Sequence, residues 1–153
     1  MFNMEIGNIE NAVLPKDITG AAQVGRVVSL KGYKKCLVYI QQGAWAGGTP
    51  AVSLKQGTDI AFATSKALGF SSRKTKLAGG SAWTTTAVTS DTFNLPNTAN
   101  TMNVIEINSR DLDEGYDCIQ LNIATPGANA DLLSACYLLC EPTYDPGINP
   151  NAD

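Results

Sequence analysis

Four cysteines are the residues of this 153-residue chain best suited to bind a metal or form a cross-link. They are Cys36, Cys118, Cys136 and Cys140. Structural zinc sites usually take their ligands as close pairs on turns, whereas two of these cysteines stand alone in apolar runs and two lie inside LLSACYLLC. Two disulfides are the other arrangement that four cysteines allow. Their strand-like surroundings favour free thiols that pack as small buried hydrophobic side chains.

Histidine is absent, which removes Ser-His-Asp and Cys-His nucleophile systems and histidine metal sites. Glu106 is the only acid in an apolar strand. Alternation places its side chain on the other face of the strand from Ile105 and Ile107, which favours a solvated or interface position over a catalytic one. The glycines of GAWAGG match no nucleotide-binding pattern. We therefore expect a protein that is not an enzyme, with no catalytic residue, no cofactor and no metal.

One cluster of carboxylates lies in the sequence SRDLDEGYD. Its spacing is too compressed for an EF-hand calcium loop, and no glutamate occupies the twelfth position. The pattern favours one helical turn, DLDE, which Ser109 or Asp111 caps and Gly115 closes. A weakly bound cation is the alternative for these acids, which are Asp111, Asp113, Glu114 and Asp117.

Candidate interface residues come from one basic run and from the two tryptophans. Arg73, Lys74 and Lys76 lie in a predicted loop of small residues, where they either contact an acidic partner or are simply solvated. Trp45 and Trp83 lie beside Gly-rich or Thr-rich turns. An exposed indole there would stack on a sugar ring or anchor an interface, and partly buried packing is the alternative.

The charge balance argues against nucleic acid as a partner. The chain has 11 basic and 14 acidic side chains, a net charge of −3 and a sequence pI near 4.8. Such a protein repels phosphates, which basic side chains must neutralise for binding. Residues 1–14 contain two glutamates and no basic residue, and the longest apolar run, 132–140, is too short to cross a bilayer. We expect a soluble protein without an export signal or a membrane partner.

Period-two alternation from residue 26 onward predicts an all-β protein. Seven to nine short strands recur at intervals of about ten residues, which is typical of a single antiparallel β-sandwich or jelly-roll-like barrel. Residues 59–62 and 66–70 fit either a strand or a helical turn. The clearest strand segments are 28–30, 36–41, 51–56, 82–88, 92–95, 104–107, 116–123 and 132–141.

The two ends of the chain lack this alternation. Residues 1–25 predict an irregular N-terminal arm, because neither a strand pattern nor a full helical stripe is sustained there. Residues 26–141 form the predicted β-sandwich domain. The Pro-rich residues 142–153 predict an irregular C-terminal tail, and residues 71–81 predict a basic loop within the domain.

A longer pattern of strands and turns, over about residues 20–146, resembles tailed-bacteriophage head decoration (capsid cement) proteins. The segments that carry the resemblance are VVSLKGYKKCLVYIQQGAWAGGTPAVSLKQ, SDTFNLPNTANTMNVIEINSRDLDEGYDCIQLN and PGANADLLSACYLLCEPTYD. The resemblance implies a β-sandwich that is made in the bacterial host cytoplasm and binds the major capsid protein on the outer surface of the virion. It also implies a homo-oligomer, most often a trimer.

The acidic pI of the chain favours a location on the outside of the capsid, facing away from the packaged DNA. The alternative function is a carbohydrate-binding or host-attachment module of a phage head or tail fibre, in which Trp45, Trp83 and loop tyrosines are stacking platforms.

Overall fold

The computed structural model describes residues 6–143, which form eleven β-strands. Their only helical segment is a 3₁₀ turn at Ser109–Asp111, so these residues contain no helix long and apolar enough to cross a membrane. The strands are β1 (Ile6–Asp17), β2 (Gln23–Ser29), β3 (Tyr33–Trp45), β4 (Ala51–Gly57), β5 (Ser65–Leu68), β6 (Ser72–Leu77), β7 (Thr84–Ala87), β8 (Thr92–Asn94), β9 (Thr101–Asn108), β10 (Cys118–Ile123) and β11 (Asp131–Pro142).

The strands form two antiparallel sheets that pack face to face, which confirms the predicted all-β sandwich. The larger sheet has six strands in the order β1-β11-β3-β9-β6-β7. The smaller sheet has the order β2-β10-β4-β5, and β8 also pairs with β4. Central strands β3 and β11 come from distant parts of the chain, so the centre of the larger sheet is built from contacts of high sequence separation.

The core lies between the sheets and is built by side-chain alternation. On β3 the side chains of Cys36, Val38 and Ile40 point inward and are buried, and on β10 Ile119 and Leu121 do the same. Each fully buried aliphatic side chain stabilises the fold by roughly 1.5–3 kcal/mol relative to an exposed one. The alternation that predicted these strands is therefore the pattern that builds the core.

The hydroxyl of Tyr137 joins the two sheets through the core. It donates to the carbonyl of Arg26 on β2 at 2.8 Å and accepts from the N–H of Leu121 on β10 at 2.9 Å. Strands β10 and β2 change register around Leu121, which leaves this N–H directed at the tyrosine. A Cβ atom at Gly25 would lie 2.9 Å from the Leu121 carbonyl oxygen and 3.2 Å from the Tyr137 hydroxyl, so only glycine fits there.

The prediction of an irregular N-terminal arm is wrong for residues 6–17, which form the edge strand β1 on β11. Three register shifts interrupt this pairing and break the period-two pattern by which a strand is recognised. Strand β2 also begins at Gln23, inside the predicted arm. Residues 1–5 and most of the predicted tail, 144–153, lie outside the described residues, and Pro142 is the last residue of β11.

The prediction of a basic loop over residues 71–81 is wrong as well, because Ser72–Leu77 form strand β6 between β9 and β7. Its residues do alternate in direction. Lys74 pairs with Val104 and Lys76 with Met102, whereas Arg73 lies on the opposite face of the same strand. Because Ser72–Lys76 are all polar, hydrophobicity alone does not reveal this alternation.

Candidate interaction surface

The outward face of the six-stranded sheet is apolar along its central strands. Antiparallel sheets with one solvated face normally place polar residues on that face. Here the middle outward positions of β3, β9 and β11 carry apolar side chains that are only half-buried, and polar residues such as Gln41, Glu106 and Ser134 occupy outward positions toward the ends. We call this surface the apolar outer face, and its residues are Leu37, Tyr39, Met102, Val104, Cys136 and Leu138.

The strand register places these side chains directly opposite one another on neighbouring strands, in rows that run across the sheet. Tyr39 lies between Cys136 of β11 and Val104 of β9, and Lys74 of β6 follows Val104 in the same row. Side chains directly opposite each other in adjacent strands lie about 4.5–5.5 Å apart at Cβ. The row is therefore a continuous strip with its apolar part at the centre of the sheet and a lysine at one side.

Trp83 lies over the same face, next to the start of β7. It is 36% exposed and lines a small cavity of about 160 Å³ together with Tyr39, Lys74 and Val104. The ammonium group of Lys76 lies 5.8 Å from the centre of the Trp83 ring, within the range of a cation–π interaction. The structure thus brings together three of the predicted interface residues, Trp83, Lys74 and Lys76, beside the apolar outer face.

Arg73 does not belong to this surface, because its side chain points to the opposite side of β6. Its guanidinium lies 4.5 Å from the centre of the Phe93 ring and donates to Asn103 Oδ1 at 3.1 Å. Desolvation lowers the pKa of Arg73 from its ordinary value. Arg73 is a half-buried structural cation, and the interface prediction for this residue is corrected accordingly.

A buried polar network continues from Arg73 into the six-stranded sheet. Asn103 Oδ1 also accepts from the Thr75 hydroxyl at 3.1 Å, and Asn103 Nδ2 donates to Gln42 Oε1 at 3.0 Å. Gln42 Nε2 in turn donates to the carbonyl of Pro96 at 2.9 Å. Asn103 is 0% and Gln42 1% exposed, so these bonds satisfy groups that water does not reach.

Trp45 is at the far end of β3 and does not line the apolar outer face described above. It is half-buried, packs against the core, and its indole N–H donates to the carbonyl of Gly48 at 3.1 Å. This is the partly buried packing that was the alternative to an exposed stacking platform.

The predicted carboxylate cluster makes local structural contacts. Asp113 pairs with Lys66 and accepts from Gln56 Nε2 at 3.0 Å, and the hydrogen bond from Lys66 lowers the pKa of Asp113 most. Asp111 accepts from the Asn108 N–H at 3.0 Å and closes the Ser109–Asp111 turn, earlier than the predicted DLDE turn. Within residues 6–143, no group of three or more His, Cys, Asp or Glu side chains could hold a metal.

Glu106 and three of the four cysteines are placed as the sequence predicts. All four thiols are free, and Cys36, Cys118 and Cys140 are buried while Cys136 is half-buried on the apolar outer face. The exposed Glu106 points away from the core and forms an ion pair with Lys35 at 3.5 Å. Lys35 also pairs with Glu141 at 3.5 Å, and solvent-accessible ion pairs of this kind contribute little to stability.

Native-state alkylation tests the burial of the thiols. Burial raises the pKa of all four, that of Cys118 to about 12, so only about one Cys118 in ten thousand is a thiolate at pH 8. We expect iodoacetamide at pH 8 to modify Cys136 first and the three buried cysteines only on unfolding, as read by peptide mass spectrometry. Urea-unfolded protein is the control in which all four react. Fast labelling of Cys118 in folded protein would contradict the structure.

Comparisons with known proteins assign the chain to no family. No family model matches it. No curated protein and no solved structure matches it either.

Proposed function

We propose that this chain is a bacteriophage head decoration protein that binds the outer surface of the capsid through the apolar outer face. The observation that carries the proposal is the presence of half-exposed Leu37, Tyr39, Val104 and Leu138 at the centre of a sheet face that would otherwise be polar. Contiguous apolar patches on soluble proteins mark interaction sites. The resemblance of the sequence to decoration proteins supplies the partner.

The charges around the patch suit a protein contact. Lys74 and Lys76 lie along one side of the apolar outer face, and the Lys35–Glu106 ion pair lies at one end of it. Protein interfaces commonly have an apolar centre and a polar rim, and rim charges orient the partner more than they add affinity. Lysines on one side therefore favour a capsid surface with acidic residues at the matching position.

Decoration requires no reaction, which agrees with a sequence that lacks histidine. A protein that binds only the assembled shell stabilises that shell by mass action. Many copies, each bridging neighbouring capsid subunits, add their contributions even when one contact is weak. A modest apolar patch on a small sandwich is sufficient for this role.

The direct test adds purified protein to heads of the phage that encodes it, prepared without the protein. We expect saturable binding, visible by electron microscopy as added density on the outer surface, and a higher rupture temperature of the heads. Absence of binding together with an unchanged rupture temperature would overturn the proposal.

A charge on the apolar outer face is expected to weaken capsid binding. Leu138→Glu places a carboxylate at the centre of the patch, where the partner would have to desolvate it. We expect at least a tenfold loss of affinity, about 1.4 kcal/mol, in co-sedimentation with heads. The matched control is Ile60→Glu, since Ile60 is 71% exposed in the segment between β4 and β5 and outside the patch. Equal binding by both variants would exclude this face as the contact.

The carbohydrate-binding alternative has less support from the geometry. It requires indole rings presented to solvent, whereas Trp45 is half-buried with its N–H bonded, and Trp83, at 36% exposed, lines a cavity together with Tyr39 and Val104. A glycan-array signal that Trp83→Ala abolishes would favour that alternative over capsid binding.

A further inference from the structure

Strand β7 is an unprotected edge of the six-stranded sheet. Within residues 6–143 it pairs with β6 alone, and all four of its residues are exposed. The opposite edge, β1, contains Pro15, the charged Glu10 and Lys16, and three register shifts, which are the devices that prevent edge pairing. Strand β7 is short, with four residues, but residues 77–90 contain neither a charged residue nor a proline that would oppose pairing at this edge.

The hydrogen-bond pattern of β6 and β7 shows which backbone groups of this edge are available. The N–H of Val88 donates to the carbonyl of Ser71 at 2.8 Å, which fixes the alternation along the pair. By that alternation the backbone groups of Thr84 and Thr86 face β6, and those of Thr85 and Ala87 face outward. The free edge is thus centred on Thr85.

We propose that β7 pairs antiparallel with β7 of a second copy of this chain, about a two-fold axis at Thr85. In this register Thr85 lies opposite the partner's Thr85, and Ala87 lies opposite the partner's Trp83. The backbone groups of Thr85 and Ala87 face outward, and Trp83 directly precedes the strand. Each hydrogen-bonded pair in this register would exchange two hydrogen bonds. The pairing is isologous, so the same edge serves both subunits and the assembly closes as a dimer.

The side chains of this segment fit the same register. Thr85 is opposite Lys74 on β6, which places Thr85, Trp83 and Ala87 on the side of the apolar outer face. The bulky indole of the partner's Trp83 therefore meets the small Ala87 across the axis. On the other side of the sheet Thr84 meets the partner's Thr86, and Thr–Thr pairs are among the favourable cross-strand pairs.

Pairing in this way makes one continuous sheet from the two six-stranded sheets. Both apolar outer faces then lie on the same side of that sheet. The proposal does not depend on capsid binding, because it rests on the edge strand alone. A dimer with two such faces would nevertheless bind any repetitive surface with avidity.

Cross-linking tests the register directly. Residues in a hydrogen-bonded antiparallel pair have Cα atoms about 5.5 Å apart, within the range of a disulfide. We expect Thr85→Cys to form a disulfide-linked dimer rapidly under mild oxidation. Thr84→Cys is the matched control, since its Cα would lie about 8 Å from that of the partner's residue 84, too far for a bond. Wild-type protein controls for the native cysteines. Equal cross-linking of the two variants would overturn the register.

Analytical ultracentrifugation tests the dimer itself. We expect wild-type protein to dimerise reversibly, and Thr85→Lys, which sets two ammonium groups face to face on the axis, to raise the dissociation constant at least about tenfold. Thr58→Lys is the control, because Thr58 is exposed on the other sheet after β4, and circular dichroism verifies the fold of each variant. A wild-type monomer at all concentrations, a trimer, or a dimer that Thr85→Lys leaves intact would overturn the proposal.

Discussion

Tyr137→Phe is expected to lower the free energy of unfolding by about 3 kcal/mol, since it leaves the buried Leu121 N–H and the part-buried Arg26 carbonyl without this partner. The Tyr137 side chain is fully buried, so water does not replace the lost hydroxyl. The Leu121 N–H and the Arg26 carbonyl, which the hydroxyl now joins at 2.9 and 2.8 Å, would each lose that partner. Both groups belong to the smaller sheet, whereas Tyr137 belongs to the larger one, so the loss of these hydrogen bonds weakens the contact between the two sheets.

Urea denaturation followed by circular dichroism measures this effect, with Tyr39→Phe as the control. Tyr39 is half-buried on the apolar outer face, and within residues 6–143 its hydroxyl makes no hydrogen bond. Removal of that hydroxyl should therefore change the free energy of unfolding by less than about 0.5 kcal/mol. Similar midpoints for the two variants would show that the Tyr137 hydroxyl does not join the sheets.

The fold was predictable where burial follows alternation. Burial alternates along β3, β9 and β11 because one face of each strand is in the core, and the sequence predicted all three strands. Strand β1 escaped prediction because its register shifts turn successive side chains out of phase, and Ala12 and Val13 are both buried although adjacent. Strand β6 escaped because Ser72–Lys76 are polar on both faces.

The candidate surface was predictable only in part. The runs CLVYI and CYLLC are apolar at consecutive positions, which indicates strands whose two faces are both apolar. The sequence does not say that β3 lies between β11 and β9, since these pairings join residues far apart in the chain. For the same reason it could not separate Lys74, beside Val104, from Arg73, which turns inward.

The inward-pointing guanidinium of Arg73 donates to the side-chain amide oxygen of Asn103. Asn103→Leu removes this acceptor and is expected to lower the free energy of unfolding by about 3 kcal/mol or more. Leucine has nearly the shape of asparagine, so the packing of β9 is kept. The substitution removes the oxygen that accepts from Arg73 and Thr75 and the N–H₂ group that donates to Gln42. A half-buried guanidinium without its acceptor costs more than an unpaired neutral group, because its charge is desolvated.

The double variant Asn103→Leu/Arg73→Met separates this cost from lost packing. Methionine keeps much of the contact with Phe93 but has no charge to leave unpaired. We therefore expect the double variant to be more stable than the sum of the two single losses predicts, by at least about 1 kcal/mol in urea denaturation. Additive losses would mean that Arg73 and Asn103 stabilise the sandwich independently. Coupling of the expected sign would instead show that Asn103 stabilises the fold mainly by accepting a hydrogen bond from the inward-pointing Arg73 guanidinium. Arg73 is then the structural member of the basic run, and Lys74 and Lys76 are the two that face outward.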